Sequence, residues 1–101
     1  MEIEVVWNDD ALLAIRNTFD YVKQFSLQNA LKLALDLIEF GNGLNIFPEK
    51  YKRCAKPSLR RRNFRCVTHR MHIFVYKVVG NRLRIYKVFH AKQNPKKMIV
   101  R

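Results

Sequence analysis

Apolar residues recur every three to four positions through most of the first 40 residues, a spacing typical of amphipathic helices. A short apolar run ending at Trp7 precedes them and predicts a first strand. Asn8 is predicted to cap the helix that follows, because its side chain can accept from an unpaired backbone N–H. The predicted buried stripe of this first helix consists of Leu12, Ile15, Phe19 and Val22.

A second helix is predicted from a cap at Ser26 to about Phe40. Its predicted buried stripe consists of Leu27, Leu31, Ala34 and Ile38, widened by Leu33, Leu37 and Phe40. Gly41-Asn42-Gly43 is predicted to end it, since these residues tolerate the left-handed backbone conformation. Residues 8–41 are therefore predicted to form a helical hairpin.

The hydrophobic period changes from helical to alternating in the second half of the chain. Residues 44–60 have no regular period and contain Pro48 and Pro57, so we predict a loop. Strands are predicted over Arg62–Thr68, Met71–Val79 and Arg82–His90, with a tight turn at Gly80-Asn81 between the last two. The alternation slips along the last strand, which predicts a β-bulge near Tyr86–Lys87.

This order of elements predicts a two-layer α+β fold, in which the helical hairpin packs on a mostly antiparallel four-stranded sheet. We predict a single domain over 1–101. Its segments are a strand at 1–7, the hairpin at 8–41, a loop at 44–60, a three-stranded meander at 61–90 and a basic tail at 91–101.

Charge is divided very unevenly along the chain, whose net charge is +12. Residues 1–49 contain eight acidic and three basic residues, a balance of −5, whereas residues 50–101 contain 17 basic residues and no acidic one, a balance of +17. So dense a charge of one sign destabilises the folded state by self-repulsion, and an anionic partner would offset this cost.

Several classes of protein are disfavoured by the sequence. No apolar run approaches the roughly 20 residues that span a bilayer, and the acidic N-terminus is unlike a signal peptide, so we expect a cytoplasmic protein without a membrane partner. Cys54 and Cys66 allow a disulfide, but two reduced thiols are the favoured interpretation. We expect no metal site and no cofactor, because neither a ligand cluster nor a glycine-rich phosphate loop is present.

The element order, the length and three local stretches together resemble the RelE/ParE superfamily of type II toxins. The stretches are Ala30-Leu31-Lys32-Leu33 in the helix pair, the strand Ile73-x-Val75-Tyr76-Lys77-Val78, and Leu83-x-Ile85-x-x-Val88-x-His90-x-Lys92 followed by Gln93-Asn94-Pro95. The resemblance implies a small cytoplasmic toxin that is neutralised by an acidic antitoxin encoded beside it. It implies one of two targets: RelE-like members cleave messenger RNA in the ribosomal A site, and ParE-like members poison DNA gyrase.

The densest basic segment has nine bases between residues 50 and 70, interleaved with Tyr51 and Phe64 as candidate stacking surfaces. A solvated charged face is the alternative, but this density favours binding of a polyanion, whether RNA, DNA or acidic protein. The candidate nucleic-acid-binding residues are Lys52, Arg53, Lys56, Arg60, Arg61, Arg62, Arg82 and Lys92.

His90 is the first candidate for catalysis, because RelE-like members place a His or Tyr near the end of the last strand and imidazole suits acid–base chemistry near neutral pH. A structural strand-end histidine is the alternative. Arg65 and Arg84 are candidates for stabilising charge on a phosphate. His69 and His72 are expected to be exposed turn residues, and Tyr76 to pack in the core. The Tyr that RelE-like members carry just after the last strand is absent.

The function predicted from these residues is that of a toxin in a type II toxin–antitoxin module, with a lean towards ribosome-dependent messenger RNA cleavage by a metal-independent endoribonuclease. The alternatives are a gyrase poison of the ParE type and an inactive, toxin-like binding module.

Overall fold

Four strands and three helices are present in the computed structural model, which describes residues 3–92. In chain order they are β1 (Glu4–Trp7), α1 (Asp9–Val22), α2 (Leu27–Asn42), α3 (Pro57–Arg61), β2 (Arg65–His69), β3 (His72–Val79) and β4 (Arg82–His90). The short helix α3 lies in the segment predicted as a loop. Of the predicted basic tail, the part from residue 93 onwards lies outside the described residues.

The strands form one sheet in the order β1-β4-β3-β2. β1 runs parallel to β4, while β2, β3 and β4 form an antiparallel meander. The predicted α+β fold is therefore confirmed, with a mixed sheet in which β1 supplies the parallel pair.

The bulge predicted in the last strand is confirmed. Val75 pairs with Lys87 and the next residue, Tyr76, pairs with Ile85, so Tyr86 is the extra residue of β4. The bulge resets the phase of the strand, so that Ile85 before it and Val88 after it both face the hairpin. Gly80, at φ +62°, makes the predicted turn between β3 and β4.

The main core lies between the hairpin and one face of the sheet. Its fully buried members include Leu37, Phe74, Leu83 and Tyr76, whose hydroxyl donates to the Pro48 carbonyl at 2.7 Å. Burial raises the pKa of Tyr76 to about 12, which keeps the phenol neutral. The predicted core role of Tyr76 is confirmed.

The predicted buried stripes of the hairpin are partly wrong. Leu12, Leu27 and Leu31 are exposed, whereas Ile15 and Leu37 are buried as predicted, together with the smaller residues Ala11 and Ala30. Small side chains allow the helix backbones to come close to their neighbours, and the large residues on the adjacent stripe are then left facing solvent.

The predicted Ser26 cap is confirmed, since its Oγ accepts from the Asn29 N–H at 3.1 Å. Asn8 begins α1, but its side chain makes no capping bond and accepts from Arg84 instead. The expected left-handed end of α2 is also wrong. Gly43 has φ −87°, and Gly41 is required because a Cβ there would overlap the Trp7 ring.

A second, smaller core covers part of the opposite sheet face. Leu59 of α3, Phe64 and Cys54 pack there against Val75 and Phe89. A disulfide joins Cys54 to Cys66, so the predicted pair of reduced thiols is wrong. The antiparallel bridge between Arg53 and Arg65 brings the two cysteines together, because Cys54 directly follows Arg53 and Cys66 directly follows Arg65.

Candidate functional site

The sheet face turned away from the hairpin carries a group of cationic side chains. Successive strand residues point to opposite faces, so the neighbours of the hairpin-facing Tyr76 and Leu83 point outwards. Lys77 and Arg84 are register partners on this outer face, and Arg82 lies two residues before Arg84. Lys77, Arg82 and Arg84 line a shallow pocket completed by Val79, Asn81 and Tyr86.

A fourth cation, Arg62, approaches this group from the connection after α3. Its guanidinium carbon lies 5.0 Å from the centre of the Phe64 ring, and the Lys77 ammonium lies 5.3 Å from the same centre. We call Arg62, Lys77, Arg82 and Arg84 the outer cationic cluster. Both cation–π contacts hold their charged groups in place over the Phe64 ring.

The other two members of the outer cationic cluster have polar partners from the β1 side. Arg84 Nη1 donates to Asn8 Oδ1 at 2.8 Å, and this neutral amide orients the guanidinium without neutralising it. Arg82 Nε lies 3.7 Å from Glu4 Oε2, and both side chains are about two-thirds exposed. An ion pair this exposed contributes little to stability and exchanges readily for another anion.

The aromatic residues of the basic segment are not available for stacking on bases. Phe64 is only 1% exposed and meets Tyr86 edge-to-face at 4.9 Å. Tyr51 is partly buried and packs against Phe40 in the main core. The prediction of interleaved stacking surfaces is therefore wrong, because both rings serve as packing groups.

Most of the predicted nucleic-acid-binding residues do share one surface. Six of them are exposed and lie on the connection that the second core holds against the outer sheet face: Lys52, Arg53, Lys56, Arg60, Arg61 and Arg62. Arg82 belongs to the outer cationic cluster. Lys92 lies beyond the opposite end of β4, about 30 Å further along the strand direction from Arg82.

The three predicted catalytic residues are not brought together. Arg84 points to the outer face, whereas Arg65 is paired with the hairpin-facing Tyr76 and donates from Nη1 to the Tyr51 carbonyl at 2.6 Å. His90 is separated from Arg84 by six residues along β4, about 20 Å, and its ring lies beside His72 on the hairpin side.

The histidines of the β2–β3 turn are not the exposed residues that were expected. His72 is buried, its Nε2 lies 3.0 Å from Thr18 Oγ1, and burial lowers its pKa so that the neutral ring is favoured. His69 stacks on Phe40 and hydrogen-bonds Asp36 at 2.9 Å. This hydrogen bond, together with the charges of His69 and Arg70, lowers the pKa of Asp36.

The turn between these histidines is conformationally unusual. Arg70 and Met71 both have positive φ, 52° and 63°, although neither is glycine or asparagine. Arg70 is fixed by its carbonyl, which lies 2.7 Å from His72 Nδ1, and by its Nε, which donates to Asp36 at 2.9 Å. These contacts tie the turn to α2 and are an ordering device that the sequence did not reveal.

The outward face of the hairpin presents a row of leucines. Leu27, Leu31 and Leu35 follow one another at four-residue spacing on α2 and are each about half or more exposed. We call these three residues the leucine row. Contiguous exposed apolar patches are typical of protein–protein contact sites.

Two other features bear on the class of protein. Among residues 3–92, no helix combines the length and the apolar character that crossing a lipid bilayer requires. The described part of the chain also contains no group of three or more His, Cys, Asp or Glu side chains arranged to hold a metal ion.

Comparison with known proteins identifies the fold and the family. The family model described as "ParE toxin of type II toxin-antitoxin system, parDE" matches residues 5–95. A solved structure titled "Chromosomal ParDE TA system from P. aeruginosa" matches with a TM-score of 0.74 and 19% identity, covering 90% of this chain and 98% of the other. The comparison with curated proteins gives no match. The resemblance to RelE/ParE toxins drawn from the sequence is confirmed.

Proposed function

The chain belongs to the ParE toxin family of type II toxin–antitoxin systems, and from this premise we propose that it inhibits growth by poisoning DNA gyrase. The observation that carries the proposal is the family match over residues 5–95, which falls in the ParE branch of the superfamily. Members of that branch poison gyrase, whereas RelE-like members cleave messenger RNA. We therefore favour gyrase poisoning over the messenger RNA cleavage that the sequence analysis favoured.

The geometry of the candidate catalytic residues supports a non-nucleolytic mechanism. Cleavage of RNA by its own 2′-hydroxyl requires a base, a proton donor and cations around one phosphate, all within hydrogen-bonding reach. Arg84 and His90 lie on opposite faces and about 20 Å apart along β4, so they cannot contact the same phosphate. Phe64 is buried and Tyr51 packs against Phe40, so neither ring of the basic segment offers a platform for single-stranded RNA.

A type II toxin has a cognate antitoxin, and we place its docking surface on the hairpin. The leucine row supplies the apolar anchors that protein interfaces need, and it is separated from the outer cationic cluster by the thickness of the sheet and helices. An antitoxin bound there leaves the cationic face open. It would therefore neutralise the toxin by covering the hairpin, and not by charge pairing alone.

The test is a gyrase cleavage assay with purified components. Supercoiled plasmid, gyrase and ATP are incubated with increasing amounts of the chain, the reaction is stopped with detergent and protease, and linear DNA is measured. Linear DNA should increase with the concentration of the chain. The chain preincubated with its antitoxin serves as the matched control and should give no linear DNA.

Expression in cells separates the alternative functions. A gyrase poison should induce the DNA-damage response while transcripts remain intact. Cut transcripts without DNA damage would instead establish an endoribonuclease. Normal growth without either effect would establish an inactive binding module.

A further inference from the structure

We propose that the outer cationic cluster binds the phosphate backbone of duplex DNA, so that the toxin contacts DNA directly and without reading its sequence. Its biological setting, the DNA on which gyrase acts, rests on the function proposed above. The contact itself requires no gyrase and can be tested alone.

The density and placement of the charges support a polyanionic ligand. Lys77 and Arg84 lie on neighbouring strands about 4.8 Å apart, and Arg82 follows about 6.6 Å along β4. The connection at 52–62 places further exposed bases beside them, and no acidic residue occurs between residues 50 and 101. Duplex DNA, with one negative charge per about 1.7 Å of its axis, matches such a surface.

The ordering of these side chains lowers the cost of binding. Arg62 and Lys77 rest over Phe64, and Arg84 is held by Asn8, so three of the four cations already occupy defined positions. Less side-chain entropy is then lost when a phosphate is bound. The weak, exposed pair between Arg82 and Glu4 can be exchanged for a phosphate at small cost.

The outer face has no groups suited to reading bases. The aromatic rings near the cluster, Phe64 and Tyr86, pack edge-to-face against each other, and cations lie over Phe64. The one helix on this face within residues 3–92 is the five-residue α3, and the rings of Phe64 and Tyr86 leave no open stacking surface beside the cluster. Contact with phosphates alone is expected, as in sequence-independent binding of duplex DNA.

An acidic protein suits this face less well than DNA does. Of the 11 large hydrophobic residues that are exposed among residues 3–92, only Val79 lines the pocket of the cluster. Protein interfaces are built around an apolar, desolvated centre, which this face lacks. The leucine row provides such a centre on the opposite layer, so the two layers fit two different partners.

The test measures binding of a fluorescently labelled 20-bp duplex by anisotropy between 50 and 200 mM NaCl. Each lost phosphate contact makes the slope of log K against log salt shallower by about 0.9. The variant K77Q/R82Q loses two contacts, so its slope should be shallower by about 1.8. Over this fourfold change in salt, its affinity should then fall by a factor about 12 times smaller than the factor for the wild type.

A matched variant separates the site from net charge. R16Q/K32Q removes the same two charges from exposed positions on the hairpin and should leave the slope unchanged. K77R/R82K retains the charges and should keep the wild-type slope, which also shows that substitution at these positions does not by itself abolish binding. Circular dichroism verifies that all three variants fold.

Equal slopes for K77Q/R82Q and R16Q/K32Q would overturn the proposal, since binding would then depend on overall charge. A competition experiment gives a second such outcome. If polyglutamate displaces the labelled duplex as well as unlabelled duplex does at the same concentration of negative charge, the site accepts acidic protein as well as DNA and the proposal is overturned. Absence of DNA binding together with gyrase-dependent cleavage would overturn this inference alone. DNA binding without cleavage in the gyrase assay would overturn the proposed function and leave this inference standing.

Discussion

Reduction of the Cys54–Cys66 disulfide is expected to lower the free energy of unfolding by about 3 kcal/mol. The two cysteines are separated by 12 residues, and closing a loop of this length removes about 9.5 cal/mol/K of entropy from the unfolded chain at 25 °C. The folded state should change little, because Cys54 is buried beside Phe64 and Leu59 in the second core. The effect therefore comes chiefly from the unfolded ensemble.

The assay is urea unfolding followed by circular dichroism, with and without a thiol-free reductant. With a dependence of about 1–3 kcal/mol per molar urea for a small domain, the midpoint should fall by about 1–3 M on reduction. The variant C54A/C66A should unfold near the reduced wild type and should be insensitive to the reductant. An unchanged wild-type midpoint under reducing conditions would refute the reasoning.

The predicted loss is large relative to the stability of a domain of this size. Folded domains are typically stable by about 5–15 kcal/mol, so the reduced chain is expected to remain folded with a smaller margin. Disulfides are rare in the reducing cytosol, the compartment expected from the sequence. In a reducing compartment, the stability of the reduced form is therefore the relevant quantity.

Two further substitutions test the packing of the hairpin and its proposed partner surface. Gly41→Ala should lower the free energy of unfolding in urea by about 1–3 kcal/mol, because the added Cβ meets the Trp7 ring. Gly43→Ala is the control and should lower it much less, since the nearest atom to a Cβ there is a backbone oxygen at 3.5 Å. Equal losses for the two variants would contradict the contact between Gly41 and Trp7. Leu31→Glu should weaken neutralisation by the antitoxin about tenfold or more in a growth-rescue titration. Gln28→Glu makes the same charge change at another exposed position of α2 and should leave neutralisation unchanged. Identical titration curves for the two variants would exclude the leucine row as the docking surface.

The order of elements could be predicted because each periodicity has a single structural reading. The change from helical to alternating spacing separates the hairpin from the meander, and a break in the alternation near Tyr86 can be satisfied only by an extra residue. Ser26 also acts locally, so its cap could be predicted without knowing the rest of the fold.

The orientation of the hairpin could not be predicted in the same way. Both helices carry leucines on more than one stripe, and periodicity alone does not show which stripe meets the sheet. The buried stripe is decided by where a helix can come close to its neighbours. Ala11, Ala30 and Gly41 allow this, because larger residues at these positions would fill the space. That information lies in the neighbouring elements rather than in the helices themselves.

The candidate site shows the same limit. Local sequence marked the basic residues, but only the sheet shows that Arg84 and Arg65 point to opposite faces. The local pattern does not reveal the role of Phe64, because an aromatic among basic residues looks the same whether it stacks on a base or packs in a core. The disulfide depends likewise on a bridge between segments that sequence spacing does not reveal.

The second core explains how so much positive charge is kept on one face. Phe64, Leu59 and the disulfide fix the connection at 52–62 against the sheet, so its bases remain close to Lys77 and Arg84 although like charges repel. Without this small apolar anchor, repulsion would favour a detached connection and a dispersed charge. Burial on the outer face therefore holds the charged surface above it together, and the DNA binding proposed above would offset the cost of concentrating that charge.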